Sequence, residues 1–331
     1  MKISIIGGGA WGSTLAQLLT DNNHQILIND INLEYVAKIN NGRHPIFNQI
    51  LKNIKATVSL RETLEYSDFI ILCLPTRIMR LTLKKINKII SHPKYFINVS
   101  KGMEIENYKT IYQIVQEEIT IKNIKNYACV MGPSHAEEVI LRKLTLLVAA
   151  SLDHSFAYKV QKIFYNSQYL RVYSSNDLYG VEICSAFKNV LALISGVLDS
   201  FDFGYNFKAS FISRGLLEMT KVVYFFKGNK QTVFGLTGLG DLIVTAFNKN
   251  SRNYQAGKKI GLGINIKDII KNSSQVIEGI NNLKAFYNLS LEKKIDLPII
   301  KEAYQMIFNY KSIETILNNL LKRPLKLEKI F

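Results

Sequence analysis

The fold class this sequence predicts is α/β: a mostly parallel sheet with crossover helices, followed by an all-α carboxy-terminal domain. Three observations predict it. A short apolar strand opens the chain and runs straight into Gly7, Gly9 and Gly12. Short apolar runs then alternate with helical patterns to about residue 175, the arrangement that builds parallel sheets. Beyond about residue 176 the strand runs stop and helical patterns alone continue.

The first strand spans 2–6, with Ile3, Ile5 and Ile6 apolar, and its glycines have the GxGxxG spacing of a Rossmann-type dinucleotide-binding turn. Gly7 permits the tight turn, Gly9 lets backbone approach a pyrophosphate, and Gly12 lets the next helix pack close to the strand. That helix carries Leu15, Leu18 and Leu19 on an apolar face, and its positive end suits the phosphates. Further strands are expected at 25–30, 54–58, 68–74, 94–99, 126–131, 143–150 and 168–173. Helices are expected near 177–199, 207–228, 252–261, 279–293, 298–309 and 312–321, separated by glycine-bearing or polar loops. The chain therefore divides into a Rossmann-type dinucleotide-binding domain, 1–176, and a helical substrate-binding and catalytic domain, 177–331.

A length of 331 residues with 47% hydrophobic content suits two domains that each bury a core. The longest apolar run, Val190 to Leu198, is about half of what a bilayer span needs, and the apolar run at the amino terminus is too short for a signal peptide. The expectation is a cytoplasmic protein without membrane insertion. Cys73, Cys129 and Cys184 are widely spaced in apolar surroundings, which fits reduced core thiols, and the five histidines lack metal-ligand spacing, so no metal is expected. The formal charge of +16 is spread along the chain without a basic tail or stripe, which argues for a basic surface suited to anionic metabolites and against a nucleic-acid partner.

Several residues read as chemical. Asp30 ends the second strand, 18 positions beyond Gly12, where a carboxylate would accept from both ribose hydroxyls and repel a 2′-phosphate, favouring NAD over NADP; the alternative is that it merely caps the following helix. Lys101 follows strand 94–99 at the ligand-binding edge of the sheet, as a nicotinamide-facing charge or an ordinary loop lysine. Gly132 and Ser134 lie in a second turn that opens a helix, and Ser134 could cap that helix or hydrogen-bond a substrate. Lys188 stands in the middle of a helix apolar nearly all round. It is either buried, with desolvation drawing its pKa toward the range useful for proton transfer, or snorkelling to solvent. The loop from Phe234 to Gly240 packs three glycines before Asp241, and Ser251, Arg252 and Asn253 have the composition of a phosphate site or of a cap beside a surface arginine.

Taken together, GGGAWGSTLA, VSKGME, GPSHAEEV, EICSAFKNVLAL, GLGDLIVT, NSRNYQAG and VIEG resemble, in order and along essentially the whole chain, the bacterial NAD(P)-dependent glycerol-3-phosphate dehydrogenases. The resemblance implies reversible hydride transfer between NAD(P)H and C2 of dihydroxyacetone phosphate, giving sn-glycerol 3-phosphate for phospholipid synthesis. It implies that Gly7, Gly9, Ala10, Trp11, Gly12, Asp30, Phe47, Lys101, Ala136, Arg252, Val276 and Glu278 hold the cofactor. Substrate would meet Lys101, Gly132, Ser134, Lys188, Asp241, Ser251, Arg252 and Asn253, with Lys188 catalytic and Asp241 supporting it. A homodimer is plausible for such enzymes. Asp30 stands where many relatives carry a basic residue, making NAD the preferred cofactor with NADP second; Ala10 and Phe47 each lack a hydroxyl common there. Two other readings compete: a reductase of the 6-phosphogluconate, ketopantoate or hydroxyacyl-CoA type, against which the GLGD and NSRN pair argues, and a catalytically silent NAD sensor, against which Lys188 and Asp241 argue.

Overall fold

A computed structural model describes residues 1–273, 276–325 and 327–328. The chain forms two compact units, one of Met1–Lys101 with Lys109–Glu182, the other of Gly102–Tyr108 with Ile183–Phe331.

The first unit is built on eight strands: β1 (Lys2–Ile6), β2 (Gln25–Asn29), β3 (Ile54–Thr57), β4 (Phe69–Leu72), β5 (Lys94–Asn98), β6 (Ile124–Met131), β7 (Thr145–Ala150) and β8 (Leu170–Ser175). Their order is β3-β2-β1-β4-β5-β6-β7-β8. Every neighbouring pair is parallel except β6 with β7. The connection between those two holds one helix of only 4 residues, Ala136–Val139, too short to carry the chain back across the sheet. The chain leaves β1 toward β2 and β3 on one side and resumes with β4 on the other, so the topological switch point lies beside the glycine turn.

Alternate residues along a strand face opposite sides, and the core follows that rule. Ile3, Ile5, Ile71 and Ile97 pack with Leu15 and Leu19, whereas Ile6, Ile70, Leu72 and Phe96 pack with Met79, Leu83 and Ile86.

The second unit is helical, with Gly204–Phe225, Asp241–Ala246, Arg252–Gly261, Ile266–Lys271, Glu278–Glu292, Pro298–Asn309 and Ile313–Leu321. A further helix, Leu178–Asp199, begins in the first unit and continues through Ile183 into the second. By length and composition it is apolar enough to cross a bilayer, yet its whole apolar window is buried inside the protein. Two helices depart from the sequence expectation. Asp241–Ala246 and Ile266–Lys271, each of 6 residues, occupy stretches read as loop.

One buried acid ties this unit together. Glu218 accepts the backbone N–H groups of Ile299 (2.6 Å) and Ile300 (3.2 Å), in the first turn of Pro298–Asn309, a helix without a side-chain cap of its own. Burial pushes its carboxyl up to about 8, against the pull of those two N–H groups. Because this pKa is raised above the unfolded value, the contribution is fully present below about 4.5 and lost as pH rises through about 8. Glu218→Gln is therefore expected to lose less melting temperature than the wild type between pH 6 and pH 9, by roughly 3 °C or more. Parallel melting curves across that range would dismiss the assignment.

Candidate active site

The dinucleotide turn is rigid for steric reasons. Gly7 has a φ of +108°, and a Cβ there would stand 2.1 Å from Cys73 O; a Cβ on Gly12 would stand 1.9 Å from Gly7 O. Around Gly9, by contrast, a Cβ meets nothing within 4 Å, so the backbone there borders open space. Gly9 is also the cap residue of Ala10–Asp21 and supplies no side-chain acceptor to the first-turn N–H groups. Trp11 Nε1 is buried with no hydrogen-bond partner among the described residues. An open cradle, an uncapped helix start and an orphaned donor fit a dinucleotide pyrophosphate.

Asp30 lies across this turn. Its Oδ2 accepts the N–H of Gly8 at 2.7 Å and its Oδ1 that of Asn32 at 2.8 Å. The helix-cap alternative fails, because Asn32 caps the helix Leu33–Asn40 through the N–H groups of Glu34 and Tyr35. Phe47 stacks on His44, with ring centroids 4.7 Å apart.

A second cluster forms at the carboxyl ends of β5 and β6. Lys101 Nζ and Ser134 Oγ both donate to Gly132 O, at 2.8 and 3.0 Å. Ser134 does not cap the helix opened by Ala136; His135 holds that position. Behind Lys101, Asn98 clamps Ser100, accepting its N–H at 2.8 Å and donating to its carbonyl at 3.2 Å. Asn98 also donates to buried Glu182 Oε1 at 3.0 Å, which takes the Tyr127 hydroxyl at 2.5 Å. Burial raises the Glu182 carboxyl above its usual range.

In the second unit Lys188 is only 5% exposed, so it does not snorkel. Its Nζ lies 3.1 Å from Asp241 Oδ1 and donates to Thr245 Oγ1 at 2.8 Å. Thr245 Oγ1 in turn donates to Asp241 O at 2.6 Å. Local sequence sets this geometry. A Cβ on Gly238 would stand 2.0 Å from Val233 O, so only glycine lets the 236–240 turn press against that backbone and start the next helix with Asp241 fully buried. Thr245 follows four residues later on the same helical face. The sequence reading missed Thr245; that i+4 spacing was the signal for it.

Ser251 caps Arg252–Gly261 by accepting the Tyr254 N–H at 3.3 Å, and is 2% exposed. The Asn253 amide bridges Asn189 Oδ1 (3.0 Å) and the Gly279 N–H (2.9 Å). Ser251 and Asn253 thus hold the turn on which Arg252 opens its helix. Arg252 donates to Val276 O at 3.2 Å, and Glu278 opens the following helix. The site residues accordingly gather as the glycine turn with Asp30 and Phe47, as Lys101 with Gly132 and Ser134, as Lys188 with Asp241, and as the 251–253 segment with Val276 and Glu278.

With that geometry in hand, comparison with known proteins is specific. Residues 2–157 match the family model for the NAD-dependent glycerol-3-phosphate dehydrogenase N-terminus and residues 177–318 that for its C-terminus. The chain is 91% identical over 331 residues to a glycerol-3-phosphate dehydrogenase [NAD(P)+] of Phytoplasma mali, covering 100% of both chains. It is 49% identical over 330 residues to that of Acholeplasma laidlawii, again covering 100% of both. The crystal structure of glycerol-3-phosphate dehydrogenase from Coxiella burnetii superposes with a TM-score of 0.91 at 27% identity, covering 97% of this chain and 99% of that one. A probable 2-dehydropantoate 2-reductase from Bacillus subtilis reaches a TM-score of 0.60 at 14% identity, covering 94% of this chain and 100% of that one, a likeness of fold alone. The chain belongs to the NAD-dependent glycerol-3-phosphate dehydrogenase family.

Proposed function

We propose that Lys188 is the proton donor and acceptor in the interconversion of dihydroxyacetone phosphate and sn-glycerol 3-phosphate, and that the site residues divide as follows. The observation that carries this reading is the buried Lys188, Asp241 and Thr245 cluster. When bound, the nicotinamide supplies the hydride to C2 of the substrate in reduction and takes it back in oxidation. Lys188 as ammonium gives a proton to the oxygen on C2 as negative charge develops there, and as amine it removes that proton in reverse. Asp241 balances the buried ammonium and, with Thr245, fixes its direction. Lys101, held on Gly132 O, supplies a second positive charge toward substrate and cofactor, beside Ser134 and Ala136.

Arg252 and the first-turn backbone N–H groups of its helix hold the substrate phosphate, with Ser251 and Asn253 keeping that turn in place. A fixed phosphate sets C2 against the reacting carbon, which is the entropic part of catalysis. In keeping with phospholipid supply, the reading places the enzyme in the cytoplasm, acting on small anionic substrates that suit its +16 charge.

Cofactor choice rests on Asp30. Its carboxylate, already anchoring Gly8, would accept ribose hydroxyls and repel a 2′-phosphate. Initial rates of dihydroxyacetone phosphate reduction should therefore be higher with NADH than with NADPH. Asp30→Ala should raise the NADPH-to-NADH rate ratio roughly tenfold, the size of one charge-assisted interaction. Equal or better wild-type rates with NADPH would remove Asp30 as selector; no rate with either cofactor would overturn the reaction.

A further inference from the structure

His44 lies in a segment, residues 43–51, that folds back beside the glycine turn. The Leu51 N–H donates to Gly42 O at 2.9 Å and closes the segment, while the Lys52 N–H reaches Gln17 Oε1 at 2.8 Å. Its imidazole is 3% exposed and uses both nitrogens. Nδ1 accepts the N–H groups of Ile46 (3.2 Å) and Phe47 (3.0 Å), so it carries no proton. The proton therefore sits on Nε2, which lies 3.2 Å from Ala10 O and 3.3 Å from Thr14 Oγ1. Burial lowers the pKa to about 4, and this neutral tautomer persists through the physiological range.

We propose that His44 is a positioning residue for the dinucleotide: it pins Phe47 to the first turn of Ala10–Asp21 and so holds the cofactor-binding surface in its bound form before the cofactor arrives. One ring makes the connection in both directions, because the nitrogen facing Ala10 and the nitrogen facing Phe47 belong to the same rigid plane, and Phe47 stacks on it at an interplanar angle of 21°. Ala10 and Trp11 open the helix whose uncapped N–H groups border the cradle at Gly9. A segment free to leave this helix would have to be ordered at the moment of binding, and that cost would appear as weaker affinity. The inference rests on the reading of the glycine turn and Phe47 as cofactor contacts.

Two substitutions divide the ring's functions. In His44→Asn the amide oxygen can replace Nδ1 and preserve the local turn, but no group reaches Ala10. In His44→Gln the amide nitrogen can replace Nε2, but the acceptor for Ile46 and Phe47 is lost. NADH binding is read by quenching of Trp11, the chain's 1 tryptophan, and folding by far-ultraviolet circular dichroism and thermal melting. The expected result is a rise in the NADH dissociation constant of roughly 3- to 10-fold in each variant that retains the folded spectrum, the span of one net hydrogen bond. A lowered melting temperature with an NADH dissociation constant unchanged from the wild type would make His44 merely structural and overturn the proposal. Failure of the wild type itself to bind NADH would overturn the cofactor reading and the proposal together.

Discussion

Lys188→Ala is expected to lower turnover of dihydroxyacetone phosphate by roughly 10³-fold or more, while NADH still binds. General acid catalysis alone contributes about 10²- to 10⁴-fold, and the same ammonium also stabilises the charge developing on the substrate oxygen. The second unit, where Lys188 lies, does not contain the glycine turn, so the turn's geometry is untouched by the substitution. Removing Lys188 does, however, strand Asp241, which is 1% exposed. Breaking a buried ion pair by removing one partner costs about 3–5 kcal/mol, so the single variant should also melt lower. Pairing it with Asp241→Asn removes the stranded charge and should restore much of the melting temperature while leaving turnover where it was. Near-wild-type turnover in the folded single variant would sink the assignment of Lys188. Turnover recovered in the double variant would show that the loss had come from instability and not from chemistry.

The parts of this protein that show in its sequence are those whose physics is local. Parallel strands buried on both faces read as short apolar runs, and all eight strands lie where such runs occur, with ends displaced by one or two residues. The glycine turn is legible because its φ and its close contacts admit almost nothing else. Lys188 stands out because a charge amid Phe187, Val190, Leu191 and Leu193 contradicts the helix around it.

What stayed hidden depends on partners distant in sequence or on motifs with two meanings. Asp30 and Gly8 are 22 positions apart, and only the folded chain reveals their hydrogen bond. Ser251 had the composition of both a cap and a phosphate ligand, and only the folded chain shows that it makes the cap. The turn 236–240 is helical although its glycines suggested a loop, because Gly238 serves contact with the backbone of residue 233, a requirement that outweighs helix propensity. Reading it as loop concealed the helical spacing from Asp241 to Thr245.

Gly257 should prove one of the least tolerant positions in the second unit. Intrinsic propensity favours alanine over glycine inside a helix by about 1 kcal/mol, so Gly257→Ala in Arg252–Gly261 would ordinarily stabilise. Here a Cβ would stand 1.9 Å from Leu193 O and 3.0 Å from Val197 N, on the backbone of Leu178–Asp199. The facing helix has the reciprocal feature, since a Cβ on Gly196 would stand 2.0 Å from Tyr254 O. Two helices in backbone contact cannot relieve such a clash by rotating a side chain; one of them must move. Overpacking costs typically about 1–3 kcal/mol even where side chains can adjust, so Gly257→Ala is expected to cost more than about 3 kcal/mol, or on the order of 6 °C in melting temperature. Movement of this helix would also break the Asn253 to Asn189 bond beside Lys188, so the KM for dihydroxyacetone phosphate should rise. Gly263→Ala supplies the control: its φ of +84° makes a side chain strained, but a Cβ there meets nothing within 4 Å, and the cost should stay near 1 kcal/mol. If the two variants melted alike, backbone contact between these helices would not be what holds the 251–253 segment in place.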